Sequence, residues 1–233
     1  MPNTALILCG GLGTRLRSVS GNSPKCLMKV NGRPFLLYLL DLLKSNHFQD
    51  VVLCTGHGHD QIQKEIGSKY KGSSIKYSRE NSPLGTGGAI VRASKELESD
   101  WLLIMNGDSY CSFNLKAHSL KMINKPIIFI HKVPDVSRFG AIEFDKQNKV
   151  LSFQEKNVQS SPGYINAGIY WLHRSCIDSL SKNTFISMEK EVLPSLLGEL
   201  QAVQCNHGFI DIGTPNSYAR ADDFFDNQSI NFN

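Results

Sequence analysis

A chain of 233 residues, 41% hydrophobic, 9% aromatic and 20% charged, has ordinary globular proportions, which argues against disorder, collagen-like repeats and coiled coil. Such a length buries roughly 70–75% of the unfolded surface and lies below the roughly 250–300 residues at which cores divide, so one domain is expected. The 25 Lys and Arg against 21 Asp and Glu leave a charge of +4, which suits an anionic small molecule, and no Lys/Arg run resembles a nucleic-acid arm.

In chain order, residues 5–9 (ALILC) form an apolar run ending in glycines, the pattern of a buried parallel strand. Residues 34–45 (PFLLYLLDLLKS) open with proline and are rich in leucine, which predicts a buried helix. A strand is expected at 51–54, a helix from about 59 to 70 and a strand at 74–80. Residues 86–98 read as a helix opened by a glycine-rich turn, and 101–105 as a buried strand ending at Asn106-Gly107-Asp108. A helix over about 115–124 and a strand at 127–130 follow. This alternation predicts a parallel sheet covered on both faces, with ligands at the carboxyl ends of its strands. The pattern then changes: 140–145 and 150–154 look like a hairpin, 164–172 a strand, and 187–199 a helix with Ser187 as N-cap. A last helix begins at Thr214-Pro215 and runs to about 227.

Six cysteines, at 9, 26, 54, 111, 176 and 205, form no CxxC pair and no zinc spacing with histidine. Several lie in apolar runs, where a free thiol behaves as a small hydrophobe. With no basic n-region, no h-region and no stretch of about 18 apolar residues, a reducing cytoplasm is the expected compartment and no membrane partner is expected.

The richest segment is Gly10-Gly11-Leu12-Gly13-Thr14-Arg15-Leu16, directly after the first strand. Such glycines serve either simple chain reversal or a nest of N–H groups for phosphate oxygens. The segment lacks the GxxxxGK[ST] of a Walker loop and the third glycine of a dinucleotide fingerprint. Arg15 adds a permanent forked cation and Pro24-Lys25 a second cation, which tips the reading towards phosphate. Asp108 ends a strand and Asp211 follows Phe209-Ile210. Each suits a turn or helix-cap role, or a carboxylate pair holding Mg²⁺.

GGLGTRL followed by PK resembles the signature of the sugar-phosphate nucleotidylyltransferases, and the likeness extends through SPLGTGGAI (82–90), NGDSY (106–110), INAGIY (165–170) and DIGTP (211–215). That resemblance implies a Rossmann-like, GT-A-like three-layer α/β sandwich: a mixed, mostly parallel sheet with a small β-rich sugar-binding subregion. The nucleotide-binding half would span about 1–130, the sugar-phosphate part about 131–213 and a terminal helix about 214–227. It implies transfer of a nucleotidyl group from a nucleoside triphosphate to a sugar 1-phosphate, releasing pyrophosphate. Arg15 and Lys25 would act on the phosphates. Leu8, Gly10, Gly11, Gly13, Thr14, Glu80, Pro83, Gly85, Thr86, Asn106 and Gly107 would hold the nucleotide. Gly140, Glu155, Lys156, Asn166 and Gly168 would hold the sugar phosphate, and Asp108 and Asp211 would bind Mg²⁺, with Mn²⁺ able to substitute. The usual proline after the Glu-Lys pair is Asn157 here.

A sugar phosphate is largely dianionic at pH 7, its second pKa being near ~6, so it needs no general base. Where uracil or thymine is used the family commonly has Gln at the position of Glu80; an ionised Glu only accepts hydrogen bonds and matches the two adjacent donors of guanine, so GTP is expected. Within the family, GGLGTRLRS, SPLGTGGAI and NGDSY most resemble the guanylyltransferases of D-glycero-α-D-manno-heptose 1-phosphate, whose product, GDP-heptose, serves capsules and surface glycans. Mannose 1-phosphate enzymes often add a β-helix, for which no room is expected after the last helix. Alternatives are a mannose 1-phosphate guanylyltransferase, an N-acetylmuramate 1-phosphate uridylyltransferase or a non-catalytic nucleotide-sugar regulator. A glycosyltransferase would show a DxD motif, which Asp108-Ser109-Tyr110 does not supply. His57-Gly58-His59 reads as a surface turn, and a homo-oligomer is compatible with everything above.

Overall fold

The computed structural model describes residues 4–229 apart from 12, 17, 18, 20, 116–123, 155–159, 179, 181–184 and 206. Its strands are β1 (Thr4–Leu8), β2 (Lys29–Val30), β3 (Arg33–Pro34), β4 (Asp50–Thr55), β5 (Lys69–Tyr70), β6 (Ser73–Arg79) and β7 (Trp101–Asn106). They continue with β8 (Ser109–Ser112), β9 (Ile127–Val133), β10 (Ile142–Phe144), β11 (Val150–Phe153), β12 (Gly163–His173), β13 (Gln201–Gln204) and β14 (His207–Asp211). One large sheet has the order β13-β9-β12-β7-β1-β4-β6-β5. Neighbours β7, β1, β4 and β6 are parallel, as are β13 and β9; β12 runs against both β7 and β9, and β5 against β6.

Side chains alternate across this sheet because a strand has period two. Ala5, Ile7, Leu103, Met105, Phe129 and Ile169 enter one core, with the helices Phe35–Ser45, His59–Ile66 and Ala221–Ser229 on that face. Leu6, Leu102, Ile104, Ile128, Ile130 and Tyr170 enter the other, beneath the helix Gly85–Ser94 and the segment around Met188–Leu193. The result is the three-layer α/β sandwich with a mixed, mostly parallel sheet that the resemblance implies. The expected hairpin is the antiparallel pair β10–β11.

Several elements differ from their expected bounds. The helix expected over 59–70 stops at Ile66, because Gly67 takes a φ of 72° and its N–H closes the helix on the Gln63 carbonyl. Lys69–Tyr70 then turns back through Lys71 and Gly72, both at positive φ, to pair with β6. The segment expected as one helix over 187–199 is a five-residue π turn at Met188–Val192, capped by Ser187, followed by a short helix at Leu193–Ser195. The last helix divides into Pro215–Tyr218, with a Thr214–Ser217 capping box, and Ala221–Ser229. Most of the helix expected over 115–124 lies outside the described residues.

Candidate active site

The chain leaves β1, β4, β6 and β7 at their carboxyl ends, and these exits meet in a cleft of about 750 Å³. Gly13, at a φ of 59°, opens the short 3₁₀ turn Thr14–Leu16, and the Leu16 N–H returns to the Gly13 carbonyl at 2.9 Å. Leu16 is fully buried while Arg15 is exposed, so an apolar anchor holds the turn and leaves the guanidinium facing the cleft. A second 3₁₀ turn, Lys25–Leu27, is pinned by buried Cys26 and presents Lys25 from the same side. Pro24 before it fits against Gly58, where a Cβ would come within 2.3 Å of the ring.

Glu80 sits between Gly10 and Gly56, whose hypothetical Cβ atoms would lie 2.9 and 2.7 Å from its Oε1. The Leu84 N–H donates to its Oε2 at 3.2 Å. Burial pushes the Glu80 carboxyl up from its ordinary value, against the opposing pull of the Leu84 N–H and the Arg92 charge. The thiols of Cys9 and Cys54 also line the cleft. A hydrogen bond with Cys26 and then burial hold Cys9 well above the ordinary range, and burial and then Glu80 push Cys54 up to about 12, so neither is a thiolate nucleophile near neutrality.

Asn106, Gly107 and Asp108 leave β7 beside the glycine loop, and the Gly107 N–H donates to the Leu8 carbonyl at 3.0 Å. A Cβ on Gly107 would lie 2.5 Å from that carbonyl oxygen. Gly107→Ala is therefore expected to destabilise the protein by about 1–3 kcal/mol, as overpacking does. A urea midpoint equal to that of the parent would show that the two strand ends separate freely.

The two aspartates come together through a pairing of short strands. β8 follows Asp108 directly and pairs antiparallel with β14, placing Asp211 opposite Ser109. The Ile212 N–H then donates to the Asp108 carbonyl at 2.9 Å. Lys25 Nζ lies 2.5 Å from Asp108 Oδ2, and a Cβ on Gly213 would meet both Asp211 carboxylate oxygens and Lys25 Nζ within 3.1 Å. Asp211 Oδ1 accepts from the Gly213 N–H at 2.7 Å and from Arg138 at 3.1 Å, while Thr214 caps the following helix. The Ser217 hydroxyl also donates to Asp211 Oδ1, at 3.3 Å, and Asp211 lines the cleft together with Asp108.

Of the other expected ligand-binding residues, Leu8, Gly10, Gly11, Pro83, Gly85, Thr86 and Asn166 line the same cleft. Gly13, Gly140 and Gly168 do not appear among the described residues of its walls, and the Thr14 side chain lies outside the described part of the chain. Gly168, at a φ of 74°, packs beneath Asn106 and Ser109, where a Cβ would meet each side chain at 2.7 Å. Gly140, at a φ of 81°, is buried and returns its N–H to Val136. Gly168 thus backs the part of the wall formed by Asn106 and Ser109. Glu155 and Lys156 lie outside the described residues. Within the first turn of the helix Gly85–Ser94, the Gly87 and Gly88 N–H groups donate to the Ile186 carbonyl at 2.8 and 3.3 Å. Its first helical donors are engaged by protein.

His57-Gly58-His59 is not a simple surface turn. His59 is buried, with Nδ1 2.8 Å from the Thr55 hydroxyl, while His57 lines the cleft. Phe139, Phe185, Glu189 and Phe209 line it as well and carried no motif to single them out. Among the described residues no group of three or more His, Cys, Asp or Glu side chains could hold a metal, so any ion here would rest on the aspartate pair plus ligand or water oxygens.

A glycine loop, two cations and two carboxylates at the carboxyl ends of a mixed Rossmann-like sheet define a phosphate-handling enzyme class. A model of the nucleotidyl transferase family matches residues 4–228, and the chain belongs to that family. Over 217 residues it is 36% identical to the D-glycero-alpha-D-manno-heptose 1-phosphate guanylyltransferase of Campylobacter jejuni, covering 92% of this chain and 96% of that one. The protein of the same description from Aneurinibacillus thermoaerophilus is 34% identical, with 93% and 96% covered. The crystal structure of HddC from Yersinia pseudotuberculosis, 35% identical, superposes with a TM-score of 0.87 over 97% of this chain and all of that one, and a second crystal structure holds HddC complexed with GMP-PN. Among the described residues no helix is long and apolar enough to cross a membrane.

Proposed function

We propose that the protein transfers GMP from GTP to D-glycero-α-D-manno-heptose 1-phosphate, giving GDP-heptose and pyrophosphate. The observation that carries this reading is the convergence of Arg15, Lys25, Asp108 and Asp211 on one cleft. The names of the two relatives at 36% and 34% identity and the GMP-PN complex of HddC support guanine and a heptose. A phosphate oxygen of the sugar phosphate attacks the α-phosphorus. The bond from that phosphorus to the bridging oxygen of pyrophosphate breaks, and its electrons leave with pyrophosphate. The chain must bring two polyanions together, which is a task of positioning and fixed positive charge. Arg15 holds the triphosphate, and Lys25 the phosphates around the reacting phosphorus.

Asp108 and Asp211 fit Mg²⁺: both are hard oxygen donors, and Lys25 Nζ, 2.5 Å from Asp108 Oδ2, marks a place where a cation is stable. Bound there, the ion would neutralise developing charge on the phosphate oxygens. Glu155 and Lys156 would grip the sugar phosphate, with residues 131–213 forming its side of the cleft and residues 1–130 the nucleotide side. We place the reaction in the cytoplasm, a compartment that keeps six thiols reduced.

A pyrophosphate-release assay over GTP, UTP, CTP, dTTP and ATP, each with several sugar 1-phosphates, tests the reading. GTP with heptose 1-phosphate is expected to give the highest kcat/KM, and preference for another pair would reassign the substrate. Base readout has its own test. Glu80→Gln is expected to lower the ratio of kcat/KM for GTP over UTP by about 10-fold or more, since a buried mismatch leaves polar groups unpaired. The carboxylate must be ionised to accept two donors, and its folded pKa is raised, so KM for GTP rises as pH falls through that raised value. This occurs above pH 4.5, the ordinary value. The same shift means that ionised Glu80 costs stability above its folded pKa, so Glu80→Gln is expected to keep or raise Tm at pH 7. An unchanged base ratio together with a flat pH profile would remove Glu80 from base readout.

A further inference from the structure

A carboxylate outside every sequence motif lines the cleft. Glu189 lies on the π turn Met188–Val192, and its side chain is fixed by two hydroxyl groups whose hydrogen directions are themselves determined. The Thr86 Oγ1 accepts the Met188 N–H at 2.9 Å, which leaves its O–H to donate to Glu189 Oε2 at 3.2 Å. The Ser187 Oγ likewise accepts the Lys190 N–H at 3.2 Å and donates to the same Oε2 at 3.2 Å. Among the described residues, no protein donor reaches Oε1. A carboxylate held at one oxygen has acceptor capacity left at the other.

The neighbours of Glu189 indicate what that oxygen takes. Glu189 is close enough for its charge, after burial, to help hold the Tyr170 phenol above its ordinary range, and Tyr170 accepts a hydrogen bond from Asn166 Nδ2 at 2.8 Å. Asn166 lines the cleft from β12. An anion beside Glu189 would be repelled, whereas a neutral polyol supplies the donors that a carboxylate lacks. We propose that Glu189 is a specificity-determining residue for the acceptor sugar, its free Oε1 accepting hydrogen bonds from ring hydroxyls of the sugar 1-phosphate. Thr86 acts on the sugar through Glu189 as a positioning residue. This inference rests on the proposed function, because it takes a sugar phosphate as the second substrate.

The test compares the parent protein with Glu189→Gln, which keeps the shape and loses the charge, on heptose 1-phosphate and its single-deoxy analogues. The variant is expected to raise KM for heptose 1-phosphate about 10-fold, the scale of one charge-assisted hydrogen bond, with KM for GTP, kcat and Tm held within twofold or a degree or so. One deoxy analogue is expected to cost the parent about 10-fold in kcat/KM and to cost the variant nothing further. A merely structural role would move Tm or both KM values together and would leave the deoxy penalty intact in the variant. Parent turnover with an unchanged sugar KM in Glu189→Gln overturns the inference alone. Absence of pyrophosphate release by the parent overturns the proposed function, and calorimetric titration with heptose 1-phosphate then decides the inference: about 10-fold weaker binding by the variant upholds it, and equal or absent binding overturns it.

Discussion

Arg15→Ala is expected to fold with the Tm of the parent and to transfer nucleotide about 10³-fold more slowly, the lower end of what a transition-state arginine supplies. The two halves of that expectation come from different residues of one turn. The 3₁₀ turn is secured by fully buried Leu16 and by the Gly13 carbonyl, neither of which the substitution touches. The exposed guanidinium contributes nothing to the core, so its loss falls on chemistry. As the bond to pyrophosphate breaks, charge gathers on the leaving oxygens, and a fixed cation stabilises that state more than the ground state. The deficit should therefore appear in kcat more than in KM for GTP. Arg15→Lys keeps the charge and loses the planar fork, so it should recover only part of the rate. A loss below tenfold, or a drop in Tm, would assign Arg15 to holding the loop.

Periodicity reaches some layers of this organisation and not others. Apolar runs such as 5–9 and 101–105 locate β1 and β7, and alternation then decides which core each side chain enters. The direction of a strand leaves no such trace: β12 lies between β7 and β9 and runs against both. Four-residue strands are also nearly silent, and the partnership of β8 with β14, which brings Asp211 to Asp108, is set by a ladder across about a hundred residues. The glycine loop and Lys25 are local patterns with local causes, so they are legible. Glu189 depends on Thr86 and Ser187, one of them far away in sequence, and its turn is a π helix where helical periodicity fails. The Ile186 carbonyl that takes the Gly87 and Gly88 N–H groups is likewise distant in sequence. Residues that act through long-range contacts escape a reading based on neighbours.

On the proposed metal role, Asp108→Asn is expected to lower kcat by about 10³-fold, because several kcal/mol of charge stabilisation would go with the ligand and each 1.36 kcal/mol is about tenfold. Stability should change little. The Lys25–Asp108 pair is 2.5 Å apart, but the aspartate side chain is 37% exposed, and a pair open to solvent is worth about 1 kcal/mol or less. Two further measurements separate the metal role from simple loss of the Lys25 partner. Chelation by EDTA should abolish turnover of the parent without changing its far-UV circular dichroism, since the fold is held by two apolar cores and not by the ion. Raising Mg²⁺ should recover part of the Asp108→Asn deficit, because Asp211 remains, fixed by the Gly213 N–H and Arg138. Lys25→Met should lower the rate at every Mg²⁺ concentration alike, for it would remove the proposed phosphate contact and leave both carboxylates in place. If Asp108→Asn showed the parent's Mg²⁺ dependence with a uniformly lower rate, the aspartate would serve only to orient Lys25.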